Sequence, residues 1–141
     1  MTVQTNPIQV FVIDDHEVVQ QGIAALLSTS HIVIVGQSPS GEQAVEHCRT
    51  LQPDVILLDI RLQNGEDGIS LIKPLREICP NVKIIAFTAF DNPTAIARAA
   101  AAGATDFLLK TTNKDDLCIA IENAAVHSEP PANSKLKSLT A

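Results

Sequence analysis

Apolar residues in this chain gather in short runs that each end on a reactive polar side chain. Ile8-Gln9-Val10-Phe11-Val12-Ile13 runs into Asp14-Asp15, and Val55-Ile56-Leu57-Leu58 runs into Asp59. Lys83-Ile84-Ile85-Ala86-Phe87 runs into Thr88, and Asp106-Phe107-Leu108-Leu109 runs into Lys110. Short continuous runs of this kind predict strands buried on both faces, as in a parallel sheet. Strands are predicted over 8–13, 32–36, 54–58, 83–88 and 106–109, with helices between them over 17–29, 41–51, 68–78, 93–102 and 114–127. Val18, Val19, Ile23, Leu26 and Leu27 carry the helical spacing of the first helix, and Leu117, Ile121, Ala124 and Ala125 that of the last. Asn92-Pro93 fits an N-cap followed by proline at the first helical position, and Gly103 fits a helix stop. Strict alternation of five such units predicts a doubly wound α/β sandwich, a five-stranded parallel sheet flanked by five helices. Two positions resist the pattern. Pro74 should remove a hydrogen bond and kink the third helix, and Gly22 should weaken the first by about 1 kcal/mol relative to Ala.

Composition narrows the picture. A chain of 141 residues is one domain's worth. It is 45% hydrophobic but 3% aromatic, without Trp or Tyr, so its core must be built from Val, Ile, Leu and Ala. The net charge of -6 argues against a polyanion-binding surface on the chain itself. Cys48, Cys79 and Cys118 have no C-x-x-C spacing, and small apolar filling is the favoured role for them. No run approaches the ~18 apolar residues of a membrane span, and the first residues lack the regions of a signal peptide. A cytoplasmic setting without membrane attachment is the expectation. Residues 1–7 are expected to be a flexible N-terminus, 8–127 the folded domain, and 128–141 a polar, proline-broken linker toward an output domain outside this sequence. A frayed natural terminus is the alternative for the last segment.

Chemistry collects at the carboxyl ends of strands in open parallel sheets. That edge would bring together Asp14, Asp15, Asp59, Thr88 and Lys110. Three carboxylates repel strongly unless a cation joins them. Mg²⁺ suits hard oxygen ligands and leaves room for a phosphate oxygen. One Mg²⁺ and Lys110 would bring the site's charge to about zero, balanced to receive a phosphoryl group. An aspartate can form an aspartyl phosphate, and such transfer rests mainly on positioning and charge stabilisation. Asp59, on the central strand between metal and Lys110, is the candidate nucleophile. Asp14 and Asp15 are placed to hold metal, and Thr88 to donate to a phosphoryl oxygen. Taken singly, Asp14 or Asp59 reads more readily as a turn former or cap, Thr88 as a strand residue and Lys110 as a solvated side chain; their joint placement at strand ends favours a site.

With these residues in place, the chain resembles the receiver domain of two-component response regulators from Ile8 to about Val126. The resemblance rests on Val12-Ile13-Asp14-Asp15-His16, Asp54-Val55-Ile56-Leu57-Leu58-Asp59, Ile85-Ala86-Phe87-Thr88-Ala89 and Ala102-Gly103-Ala104-Thr105-Asp106-Phe107-Leu108-Leu109-Lys110. It implies a flavodoxin-like sheet of order 2-1-3-4-5 with two helices on one face and three on the other. It also implies that Asp59 takes phosphate from a histidine kinase or phosphotransfer protein. Mg²⁺ would be bound by Asp15, Asp59 and the backbone carbonyl of Arg61, with Asp14 assisting. Thr88 and Lys110 would sense the phosphoryl group, and Phe107 matches the family's switch aromatic. Thr111 stands where many receivers have proline. That departure, the Asp-Asp-His opening and the tail Lys135-Leu136-Lys137-Ser138-Leu139-Thr140 resemble receivers joined to LuxR-type helix-turn-helix domains. Any contact with DNA would run through that missing domain.

On this reading Thr88 moves toward the new oxygens, opening space into which Phe107 swings; a static core role is the alternative for Phe107. The readout surface would be the helix at 93–102, the strand at 106–109 and the helix at 114–127, with homodimerisation on phosphorylation as one outcome. Arg61 and Phe90 follow Asp59 and Thr88 by two positions, and their bulk predicts slow self-hydrolysis. Slow self-dephosphorylation and self-phosphorylation from small donors would be the only chemistry, so the chain is expected to be a signalling phosphoacceptor and not a turnover enzyme. A Mg²⁺-dependent phosphatase would want a second carboxylate two residues after Asp59, where Arg61 stands. A nucleotide- or flavin-binding sandwich would want a Gly-rich phosphate loop, which is absent. A degenerate receiver acting only as a binding module is disfavoured by the retained Asp59, Thr88 and Lys110.

Overall fold

Successive side chains on a strand point to opposite faces, and this sequence supplies apolar residues to both. The computed structural model describes residues 7–14, 31–62, 67–89 and 92–126. Its strands are β1 (Ile8–Ile13), β2 (Ile32–Ser38), β3 (Val55–Leu58), β4 (Lys83–Thr88) and β5 (Asp106–Leu109). They form one parallel sheet of order β2-β1-β3-β4-β5, the expected order. Four helices lie among the described residues: α1 (Gly41–Leu51), α2 (Ile72–Ile78), α3 (Pro93–Ala102) and α4 (Lys114–Val126). The expected helix over 17–29, with Gly22, lies outside the described residues, as do residues 1–6 and 127–141.

The two faces carry separate cores. Phe11, Ile13, Ile56, Leu58, Ile84, Ala86 and Phe107 belong to one cluster with Ala44 and Cys48 of α1, Ile72 and Leu75 of α2, and Ile96 and Ala99 of α3. Val10, Val12, Val55, Leu57, Ile85 and Phe87 belong to the other, with Leu117, Ala120, Ile121 and Ala124 of α4. Burying Leu117 and Ile121 contributes about 1.5–3 kcal/mol each, enough to seat α4 without strong intrinsic helicity. Its stripe is as expected except that Ala120 is buried and Ala125 only partly so.

Local signals set most boundaries. Asn92 caps α3, its side-chain oxygen accepting from the amides of Thr94 at 2.8 Å and Ala95 at 3.2 Å, and Pro93 opens the helix. Gly103 closes it in the left-handed region at φ 107°. β2 runs two residues past its expected end, with a register irregularity between Val10 and Phe11 of its partner. β3 begins at Val55, one residue later than expected.

Pro74 does not fall in the interior of an α-helix. The expected helix over 68–78 is a 3-10 turn, Gly68–Leu71, followed by an α-helix that begins at Ile72. Pro74 is therefore the third residue of α2, within the first turn, where amides have no intrahelical acceptor to lose.

Candidate functional site

Parallel register places the polar residues that follow the strands side by side. Ile13 pairs with Leu58, so Asp14 and Asp59 leave adjacent strands at the same level. The Asp59 amide donates to the Ile13 carbonyl at 2.9 Å, and the Asp14 amide to the Ser38 carbonyl at 3.0 Å. On the other side Thr88 pairs with Leu109, and the Lys110 amide donates to the Thr88 carbonyl at 2.7 Å. Four of the expected site residues thus share one edge of the sheet, and each is fixed by the backbone ladder beneath it.

Lys110 joins the two carboxylates. Its Nζ lies 2.8 Å from Asp14 Oδ2 and 2.9 Å from Asp59 Oδ2, with only 14% of its side chain exposed and 2% of either aspartate's. Asp59 Oδ1 accepts from the Arg61 amide at 3.0 Å. Burial pushes the Asp59 carboxyl above the ordinary carboxylate range; the hydrogen bonds from Lys110 and Arg61 pull it back, and the Asp14 charge pushes it further up. Two buried carboxylates share one ammonium, so the described site keeps a net negative charge in a desolvated place. Hard oxygen donors, charge excess and burial fit a small divalent cation such as Mg²⁺. Among the described residues no cluster of three or more His, Cys, Asp or Glu side chains occurs. Asp15, the expected third carboxylate, lies outside the described residues, as does Phe90.

The remaining expected residues fall around this centre. Thr88 is buried at the end of β4, and Arg61 is exposed two residues beyond Asp59. Phe107 has no exposed surface.

A match to known sequence families decides the identity of this arrangement. Residues 10–122 fit the model of the response regulator receiver domain. The chain belongs to the response regulator receiver family. Among relatives, the response regulator protein VraR of Staphylococcus saprophyticus is 38% identical over 116 residues, covering 82% of this chain and 55% of that protein. This receiver chain spans about half the length of the curated relatives it matches. The signal receiver domain of NarL from Mycobacterium tuberculosis superposes with a TM-score of 0.79 at 30% identity, covering 86% of this chain and 98% of that one. A Burkholderia pseudomallei response regulator holding a phosphorylated aspartic acid, a calcium ion and citrate matches with a TM-score of 0.74 at 26% identity, covering 83% and 68%.

Sequence reasoning passed over two residues that shape the receiver site, Asp67 and Gly68. Asp67 forms an antiparallel bridge with Arg61, and the Gly68 amide donates to the Ile60 carbonyl at 3.0 Å. A Cβ on Gly68 would stand 2.1 Å from the Asp59 carbonyl oxygen, so only glycine allows this approach. The Asp-Gly pair just before a helical run was the available signal, since it marks a turn that runs into a cap. Among the described residues no helix is long and apolar enough to cross a membrane.

Proposed function

We propose that Asp59 is the phosphoacceptor of a two-component response regulator. The observation that carries the reading is the Lys110 ammonium held between the buried carboxylates of Asp14 and Asp59 at 2.8 and 2.9 Å. The relative with a phosphorylated aspartic acid supports it. A carboxylate oxygen of Asp59 attacks the phosphorus of a phosphohistidine on a kinase or phosphotransfer protein. The O–P bond forms, the P–N bond breaks, and its electron pair returns to the imidazole. Burial makes Asp59 a poorly solvated carboxylate, and the Arg61 amide and Lys110 ammonium fix its orientation. Mg²⁺, held by Asp14, Asp15, Asp59 and the Arg61 carbonyl, would neutralise the charge on the incoming phosphoryl oxygens.

The phosphorylated residue carries more charge and strong acceptor oxygens. Thr88 and Lys110, both adjoining Asp59 at the sheet edge, sense them. Phosphorylation then shifts a pre-existing equilibrium toward the arrangement with Phe107 packed inward. The readout is made by α3, β5 and α4, where Ala97, Ala100 and Ala101 leave a thin exposed helix face. In a longer cytoplasmic protein this surface controls a DNA-binding output domain of the LuxR type, with homodimerisation as the coupling step. Self-phosphorylation from small donors and slow loss of the group are its only chemistry.

Intact mass after incubation with Mg²⁺ and acetyl phosphate tests the reading. One phosphoryl group on wild type, none in EDTA and none on Asp59→Asn is the expected result. An adduct of equal yield on Asp59→Asn would refute the assignment, and steady release of inorganic phosphate over many turnovers would point to a phosphatase.

A further inference from the structure

Asp67 and Arg98 form a polar tie between two parts of the receiver, the 3-10 turn and α3, that also share the core holding Ile69, Leu71, Ile96 and Ala99. Asp67 belongs to the segment that closes under the acceptor loop: its backbone bridges Arg61, and its Oδ1 accepts from the Ile69 amide at 3.0 Å, starting the 3-10 turn. Arg61 in turn orients Asp59 through its amide at 3.0 Å. The second oxygen of Asp67 does something else. Asp67 Oδ2 takes an ion pair and hydrogen bond from the guanidinium of Arg98, on the outer side of α3. Both side chains line a groove of about 450 Å³ together with Ile60 and Arg61 of the acceptor loop, Asn92 at the cap of α3 and Ala95 within it.

Exposure argues against a purely structural role. Arg98 is 54% exposed and Asp67 42%, and pairs this accessible add little to fold stability. The cap on Ile69 and the bridge to Arg61 use Oδ1 and the backbone, so they survive without Arg98. What Arg98 adds to the shared apolar core is a polar, directional tie from the segment that sets Asp59 to the exposed side of a helix of the readout face.

We propose that the Asp67–Arg98 pair is a positioning link that carries the state of the Asp59 loop to helix α3. It rests on the phosphoacceptor reading of Asp59. When the loop shifts around a phosphoryl group, the bridge at Arg61 shifts Asp67, and the guanidinium transmits that shift to the exposed side of α3. A conformational difference carried this way requires two arrangements that differ in the contacts of the pair.

The test separates modification from response. Wild type, Arg98→Ala, Arg98→Lys and Asp67→Asn are treated with Mg²⁺ and acetyl phosphate, and intact mass records the adduct. Amide hydrogen exchange over 92–103 is then compared before and after phosphorylation. Arg98→Ala is expected to be phosphorylated within about twofold of the wild-type rate. Its exchange response in α3 should fall to less than half of the wild-type response. Asp67→Asn, which keeps an acceptor for Ile69, should show the same reduced response, and Arg98→Lys an intermediate one. Adding Asp67→Asn to Arg98→Ala should cause no further reduction. Equal responses in all phosphorylated chains would overturn the link, as would a wild type that is phosphorylated without any change in α3. A wild type that takes no phosphoryl group would overturn both this inference and the reading beneath it, and the mass alone shows which has failed.

Discussion

Replacing Lys110 by methionine removes the ammonium that Asp14 and Asp59 share, and the consequence follows from distances and burial. The ammonium lies 2.8 Å from Asp14 and 2.9 Å from Asp59, and each aspartate is 2% exposed. Breaking a buried ion pair by deleting one partner costs about 3–5 kcal/mol. In EDTA at pH 8 Lys110→Met should therefore lose about 3 kcal/mol, on the order of 10 °C in Tm for a domain of this size. Burial already raises the Asp59 carboxyl, and without Lys110 the main opposing influence is gone. A carboxyl whose folded pKa exceeds its unfolded value favours the folded state below the unfolded value, and that contribution is lost as pH rises through the folded one. The deficit of the variant should then shrink as pH falls and Asp59 takes up its proton. A Mg²⁺ concentration ten times the dissociation constant adds about 1.4 kcal/mol to any chain that binds it, and the variant should gain at least that much. Urea titrations at pH 5 and pH 8, with EDTA or Mg²⁺, measure all three effects. A loss under about 1 kcal/mol at pH 8 in EDTA, or the same loss at both pH values, would refute the electrostatic account.

Gly68→Ala forces a methyl group against the Asp59 carbonyl oxygen; it should cost about 2–4 kcal/mol by urea unfolding and slow phosphorylation of the surviving folded fraction. Gly103→Ala meets only the movable end of Arg76 but must hold φ near 107°, so it should cost about 1 kcal/mol and leave phosphorylation unchanged. Cys48 and Cys79 are buried, and burial pushes the Cys48 thiol up to about 12 and raises Cys79 as well. Iodoacetamide at pH 8 should label Cys118 first and the other two only on unfolding. The raised thiols also favour the folded state below pH 9 and lose that contribution as pH rises toward 12, so stability should fall between pH 9 and 10.5, and less steeply in Cys48→Ala. The aspartyl phosphate of wild type should outlast that of an Arg61→Ala, Phe90→Ala double variant, as followed by intact mass; a longer lifetime in the variant would remove these side chains from the path of water.

Strands were legible because burial on both faces leaves no polar alternation to misread. Ile56 and Leu58 serve one core, Val55 and Leu57 the other, and the run has to be apolar throughout. The site was legible for a related reason: Asp14, Asp59, Thr88 and Lys110 each stand where an apolar run stops, and parallel register then brings them together. Asp67 and Arg98 were not legible. They are 31 residues apart, on a turn and a helix surface, and nothing in the spacing of either announces a partner. The 3-10 turn at 68–71 escaped because Ile69, Leu71, Ile72 and Leu75 look like one helical stripe in sequence.

That turn gives Pro74 a role that its exposure hides. A 3-10 segment advances about 120° per residue and an α-helix about 100°, so four residues of one in place of the other rotate everything downstream by about 80°. An α-helix begun at Gly68 would put Pro74 in its interior, where the ring collides with the carbonyl of Ser70. The proline thus bars the earlier start, and the angular offset it preserves lets Ile69 and Leu71 and then Ile72 and Leu75 all turn inward. A solvent-facing ring sets the clock of the whole element: its contribution is the rotational phase at which α2 meets the sheet, and through Gly68 the level at which the chain passes beneath Asp59.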